Sequence, residues 1–184
     1  MKKIVFGLAL IVAGVITSCG GQNSCKGKSV EEFDSFIGIK YGTGELEIEK
    51  VLGSFTGGEY TSDSSAFIYY FNRIDRVPIS IYVNAKSGKV ETIFMEVLSY
   101  ADNFNDDLDK AKDEFKMTDC DTYYFGMKED EVKKAMGEPA YEETLEDGVK
   151  SISYDSDSYK YSVNFKFYPE QENMCTSIMV NWFY

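Results

Sequence analysis

Several runs beyond residue 60 alternate apolar and polar positions with a period of two. Ile79, Ile81 and Val83 alternate with Ser80 and Tyr82 in VPISIYVN (77–84). Val163, Phe165 and Phe167 alternate with Asn164 and Lys166 in YKYSVNFKFY (159–168). FIYYF (67–71) and SISY (151–154) precede these runs, and KVETIFMEVL (89–98) and MCTSIMVNWFY (174–184) follow them. Successive side chains of a strand point to opposite faces, so this periodicity predicts half-buried strands. AKSG (85–88) and PEQEN (169–173) read as the turns between them.

Two stretches carry a helical period instead. In GMKEDEVKKAMGEPAYEE (126–143), Val132, Ala135 and Met136 share one face at i, i+3, i+4 spacing. In GTGELEIEKVLGSFTGGEY (42–60), Leu46, Ile48, Val51 and Leu52 do the same. Gly53 and Gly137 stand where a helix ends on a left-handed residue, and Pro139 blocks continuation. Ile68 lies 15 residues after Gly53 and Ile152 lies 15 after Gly137; Tyr70 and Tyr154 lie 17 after them. Acidic segments, SVEEFDSF (29–36) and DDLDKAKDEF (106–115), precede each capped helix and read as helices, the second capped by Asn105. The expectation is an α+β fold of two tandem repeats, residues 29–101 and 102–184. Each would hold a helix-loop-helix and a four-stranded antiparallel sheet.

The first 18 residues read differently. Lys2 and Lys3, an apolar run from Ile4 to Ile16, then Thr17 and Ser18, form the pattern of a secretory signal peptide. The run is too short to span a bilayer comfortably. ITSC resembles a bacterial lipobox, which would make Cys19 the lipidated mature N-terminus and residues 19–28 a polar, flexible tether. The alternative is an ordinary cleaved signal with an incidental cysteine. Three cysteines then remain, and the export compartment permits one disulfide. Cys120–Cys175 is the expected pair because Cys25 lies in the tether; buried free thiols are the alternative.

GMKEDEVKKAMGEP resembles the helix-and-turn signature of the SmpA/OmlA outer-membrane lipoproteins, and the tandem arrangement resembles β-lactamase inhibitory protein. In the first half the motif is degraded: YGTG adds residues before the helix, and Phe55 or Thr56 stands where proline would. The resemblance implies a scaffold that binds other proteins and is not an enzyme. Its Gly and Pro carry fold, and name no partner.

Composition narrows the chemistry. The chain has 184 residues, 31 acids, 19 bases and no histidine, for a net charge of −12. Loss of residues 1–18 removes two lysines and no acids, leaving −14. Nucleic acid is an unsuitable partner for so acidic a chain. Without histidine there is no Ser-His-Asp or Cys-His site, and neither a phosphate loop nor HExxH is present. No cofactor is expected. Asn103, Asn105, Asp107, Asp109 and Glu114 fall at EF-hand spacing, but Leu108 occupies the position that requires glycine. The adjacent pairs Glu31–Glu32, Asp106–Asp107 and Glu142–Glu143 read as solvated acidic faces, which leaves a carboxylate-dependent hydrolase without named residues.

The sheet's outer face is the better candidate. If Ile68 and Tyr70 face the helices, then Phe67, Tyr69 and Phe71 face outward, joined by Tyr82 and Phe94. Exposed aromatic patches mark interaction sites. The expected function is a lipid-anchored, non-catalytic protein-binding module of the bacterial envelope, on the outer membrane. Its partner would be an unidentified envelope or extracellular protein, and the lipid its only membrane contact. The alternative is a carrier of a small apolar molecule or peptide in a groove between two sheets.

Overall fold

A computed structural model of the protein describes residues 25–99 and 101–184. A single 3-10 turn, Val30–Glu32, leads into a tight hairpin of β1 (Ser35–Phe36) and β2 (Ile39–Lys40). Then come α1 (Glu45–Leu52), β3 (Gly57–Tyr60), β4 (Ala66–Phe71), β5 (Ile79–Asn84) and β6 (Val90–Glu96). Three helices follow, α2 (Ala101–Phe115), α3 (Asp119–Thr122) and α4 (Glu129–Met136). The chain closes with β7 (Tyr141–Thr144), β8 (Lys150–Asp155), β9 (Tyr161–Tyr168) and β10 (Met174–Trp182).

Eight strands form one antiparallel sheet in the order β3-β4-β5-β6-β10-β9-β8-β7. Its seam is the pairing of β6 with β10, from Glu96 opposite Ser177 to Thr92 opposite Asn181. The inward residues of the strands, among them Ile81, Ile93, Val163, Phe165, Ile178 and Val180, share one core with Ile48 and Leu52 of α1, Phe104, Leu108, Ala111 and Phe115 of α2, and Val132 of α4. Alternation along β9 follows directly: Tyr161, Val163, Phe165 and Phe167 are buried, whereas Ser162, Asn164, Lys166 and Tyr168 are half-buried. Helices α1 and α4 stop at glycines whose φ values are 78° and 94°; the Gly53 and Gly137 N–H groups donate to Glu49 O (2.9 Å) and Lys133 O (2.8 Å).

The architecture corrects the expected fold class. The chain does not build two tandem helix-loop-helix plus four-stranded repeats. It builds one eight-stranded sheet, a separate two-stranded sheet, and four helices among the described residues. One cause is the β6–β10 seam, which merges all the long strands into a single layer. The other is local. Phe33, Phe36 and Ile37 have helical spacing, yet 29–36 is not a helix. Ile37 (φ 46°) and Gly38 (φ 78°) form the two-residue turn of the β1–β2 hairpin. All three apolar side chains are buried there, at 1% exposure or less.

The expected disulfide is also corrected. Cys120 on α3 is bonded to Cys25, 95 positions earlier, and not to Cys175. Cys175 is a free thiol on the inward face of β10, opposite Phe167 and fully buried, while Cys120 is taken by Cys25. Burial pushes its pKa up.

Residues 25–28 are consequently not a loose tether. Asp121 gathers this segment onto the body. Its Oδ1 accepts from Lys28 Nζ (3.0 Å) and from the Ile37 N–H (3.1 Å); its Oδ2 accepts from the Thr118 N–H (3.0 Å) and hydroxyl (2.7 Å). Lys28 Nζ also donates to Ser35 O at 2.6 Å, and the Tyr124 hydroxyl donates to Lys28 O. Gly27 (φ 91°) is required at this approach, since a Cβ there would lie 2.7 Å from the Tyr124 hydroxyl and 2.8 Å from the Tyr123 ring. Burial opposes ionisation of Asp121, but the Lys28 charge and the Thr118 hydrogen bonds outweigh it, and its carboxyl titrates below the ordinary range. At the far end, Trp182 Nε1 donates to Phe33 O (2.9 Å), closing the N-terminal turn onto the last strand.

Candidate functional site

Strand register decides which side chains share a face. Tyr69 stands opposite Ile81, Ile81 opposite Ile93, and Ile93 opposite Val180. These are core residues, so Phe67, Tyr69 and Phe71 lie on the helix-covered face of the sheet. The expected outward orientation of these three is therefore reversed. Tyr82 and Phe94 do lie on the other face, as neighbours of Ile68, Tyr70, Ser80 and Thr92. FIYYF is apolar or aromatic at every position, so it holds no polar side that could reveal its orientation. Only pairing with β5 fixes it, and a slip of one residue inverts the whole strand.

The uncovered face has two characters. On the β4–β6 side, Ile68, Tyr70, Tyr82 and Phe94 lie beside Met179 of β10, opposite Phe94. Tyr70, Tyr82, Phe94 and Met179 are each half-buried. The acids here are occupied by tyrosines: Tyr70 donates to Glu59 Oε1 (2.5 Å) and Tyr168 to Glu96 Oε1 (2.6 Å). The hydrogen bond to Glu59, first, pushes the Tyr70 pKa up to about 12. On the β8–β9 side the face is a polar ladder. Asn164 Nδ2 donates to Ser151 Oγ and Ser153 Oγ, both at 2.8 Å, and at the β6–β10 seam between the two sides Thr92 Oγ1 donates to Asn181 Oδ1 at 3.0 Å.

Phe67 and Tyr69 belong to a different feature. On the helix side, at the β3 edge beyond α1, they meet Phe55 and Tyr60 in a cleft of about 290 Å³. Ring centroids are 5.1 Å apart for Phe55–Tyr69, 4.8 Å for Phe67–Tyr69 and 4.9 Å for Tyr60–Phe67, at interplanar angles of 69°, 56° and 85°. The Tyr69 hydroxyl donates to the carboxylate of Glu45, the first residue of α1. Glu45 is held there by its own N–H, which donates to Gly88 O at 3.1 Å, and by the Gly44–Lys89 bridge beside it. Burial, then the contact with Glu45, pushes the Tyr69 pKa up, so its hydroxyl stays a donor and Glu45 the acceptor. Gly58 makes room for the Phe67 ring: a Cβ there would lie 2.5 Å from Phe67 Cε1. Phe55 and Tyr60 are 42% and 63% exposed, leaving the cleft open to solvent. Neither residue stands out in the sequence, because each sits outside any periodic run.

Phe71, by contrast, is fully buried and joins neither surface. Cys19, the expected lipidation site, lies outside the described residues. Residues 103–114 fall inside the continuous helix α2, which spreads Asn103, Asn105, Asp107, Asp109 and Glu114 along the helix instead of converging them. Among the described residues no cluster of three or more acids or cysteines is placed to hold a metal.

No protein-family model matches the chain, and no curated protein matches it. Among solved structures it is similar to an extracellular protein containing an SCP domain from Bacillus anthracis str. Ames. That match has 13% identity and a TM-score of 0.46, over 76% of this chain and 43% of the other. A DUF4309 family protein from Bacillus subtilis is 12% identical with a TM-score of 0.45, over 77% of this chain and 79% of that one. A cysteine-rich secretory protein from Staphylococcus aureus is 10% identical with a TM-score of 0.43, over 77% and 42%. The chain thus spans less than half the length of the first and third. With no family model matching and one eight-stranded sheet in place of two tandem four-stranded units, the chain is not assigned to the SmpA/OmlA lipoproteins or to β-lactamase inhibitory protein.

Proposed function

We propose that the chain is an exported, lipid-anchored, non-catalytic module that binds another protein of the bacterial envelope through the uncovered face of its sheet. The observation that carries this reading is the half-buried cluster of Tyr70, Tyr82, Phe94 and Met179 on the face opposite the one that packs on α1, α2 and α4. Aromatic side chains provide large contact area at low entropic cost, and they dominate binding hot spots. Both nearby carboxylates already accept from tyrosines, which lowers the cost of desolvating the patch. The leader-like first 18 residues and the Cys25–Cys120 bridge support export to an oxidising compartment. The alternative of an apolar cargo held between two four-stranded sheets has less support, because β3 to β10 form one continuous sheet.

Affinity capture from detergent-solubilised envelopes tests this, comparing the unaltered protein with Tyr82→Ala plus Phe94→Ala. The expected outcome is a protein retained by the first and lost by the second, with circular dichroism unchanged. Equal retention of the same proteins would refute the assignment of this face.

A further inference from the structure

The cleft on the helix side is separate from the uncovered sheet face and has a different chemistry. Four aromatic rings succeed one another at steep angles, Phe55 against Tyr69, Tyr69 against Phe67, Phe67 against Tyr60. They form walls and not a stack. Each ring presents a negative face, and an organic cation within about 6 Å of such faces is attracted without the need for a hydrogen-bond acceptor. At its rim stands the exposed Glu45 carboxylate, engaged by the Tyr69 hydroxyl. No lysine or arginine lines the cleft. The charge of the whole chain, −12, favours approach of a cation. The opening of about 290 Å³ lies at the small end of ligand pockets, suited to a compact head and not to a drug-sized molecule.

We infer that Phe55, Tyr60, Phe67 and Tyr69, with Glu45, form a site for a small quaternary or alkylated ammonium ion. The rings surround the methyl groups, and the carboxylate supplies the counter-charge. A hard ion such as Na⁺ gains little here, because it keeps its water and finds few oxygens. A neutral molecule of the same shape gains the apolar contact but not the electrostatic one.

Isothermal titration of the full-length chain with choline and tetramethylammonium tests the site, with 3,3-dimethyl-1-butanol as the uncharged counterpart of choline. Choline and tetramethylammonium are expected to bind saturably, and the alcohol at least about fivefold more weakly. Tyr60→Ala removes an exposed wall without touching the core, and is expected to weaken choline about 5- to 30-fold with an unchanged melting temperature. Glu45→Gln should weaken it comparably, whereas Tyr82→Ala on the opposite face should not. Phosphatidylcholine vesicles separate two sources of the same group. Vesicle binding displaced by free choline assigns the site to a lipid headgroup; free choline binding with no vesicle binding assigns it to a soluble cation. The inference is overturned if choline does not saturate, if the alcohol binds equally well, or if Tyr60→Ala leaves the affinity unchanged. Because Tyr82→Ala and Tyr60→Ala act on opposite faces, failure here leaves the protein-binding proposal standing, and the reverse also holds.

Discussion

Removal of the Cys25–Cys120 bridge by a double Cys→Ser change should lower the stability of the protein sharply. The bridge closes a loop between positions 95 residues apart. Chain-entropy reasoning assigns about 4.7 kcal/mol to a cross-link across a loop of about 100 residues, at the upper end of what native bridges contribute. In the folded protein little else changes, because Lys28 keeps its contacts with Asp121 (3.0 Å) and Ser35 O (2.6 Å), and Tyr124 keeps its bond to Lys28 O. The effect therefore falls mainly on the unfolded chain. With an unfolding entropy near 2.1 cal/mol/K per residue over about 160 residues, such a loss corresponds to a fall in melting temperature of about 14 °C. Thermal unfolding followed by circular dichroism, for the double Cys25→Ser, Cys120→Ser variant and for the unaltered protein with and without reductant, measures it. The reduced protein and the variant should melt together, well below the oxidised form. A fall of less than about 3 °C in both would refute the loop-entropy reasoning.

Three single substitutions give further outcomes. The Asp121 carboxyl is held below its ordinary pKa, so its stabilisation is complete above about pH 4 and is lost as pH falls through the lower folded value; urea midpoints of the unaltered protein and Asp121→Asn should differ most near neutrality and converge in acid. At Gly137 a Cβ meets nothing within 4 Å, but φ is 94° and ψ −157°, so Gly137→Ala should cost about 1–3 kcal/mol from backbone strain alone in urea unfolding; Gly53→Ala should cost more, since its Cβ would also displace the Arg73 guanidinium, 2.7 Å away, from Leu52 O and Glu114.

Much of the strand content is legible in the chain. Polar residues at every second position of β5, β8 and β9 mark both where a strand runs and which side is buried. The ends of α1 and α4 are legible for a comparable reason, because Gly53 and Gly137 adopt angles that few other residues tolerate. Orientation is not legible in β4. All five residues of FIYYF are apolar or aromatic, so the face of Phe67, Tyr69 and Phe71 is settled only by pairing across the sheet. The outer strands β3 and β7 are likewise silent, since GGEY and YEET are mostly exposed and carry no alternation. Long-range closure is the hardest to read. Nothing near Cys25 or Cys120 signals their meeting, and nothing in β6 or β10 marks them as the seam. The aromatic cleft escapes for that reason too: Phe55 comes from a loop, Tyr60 from an edge strand and Glu45 from a helix start, brought together only when the layers assemble.

In a chain anchored as proposed, the attachment of Cys25 to α3 would set the length of the mooring line. A lipid on Cys19 would be separated from that fixed point by five residues, whose fully extended span is about 20 Å. So short a leash would keep an anchored body within a molecular radius of the headgroups and restrict its tumbling. It would also present α3 and the neighbouring end of the molecule to the bilayer, and the strands farther away to whatever lies beyond.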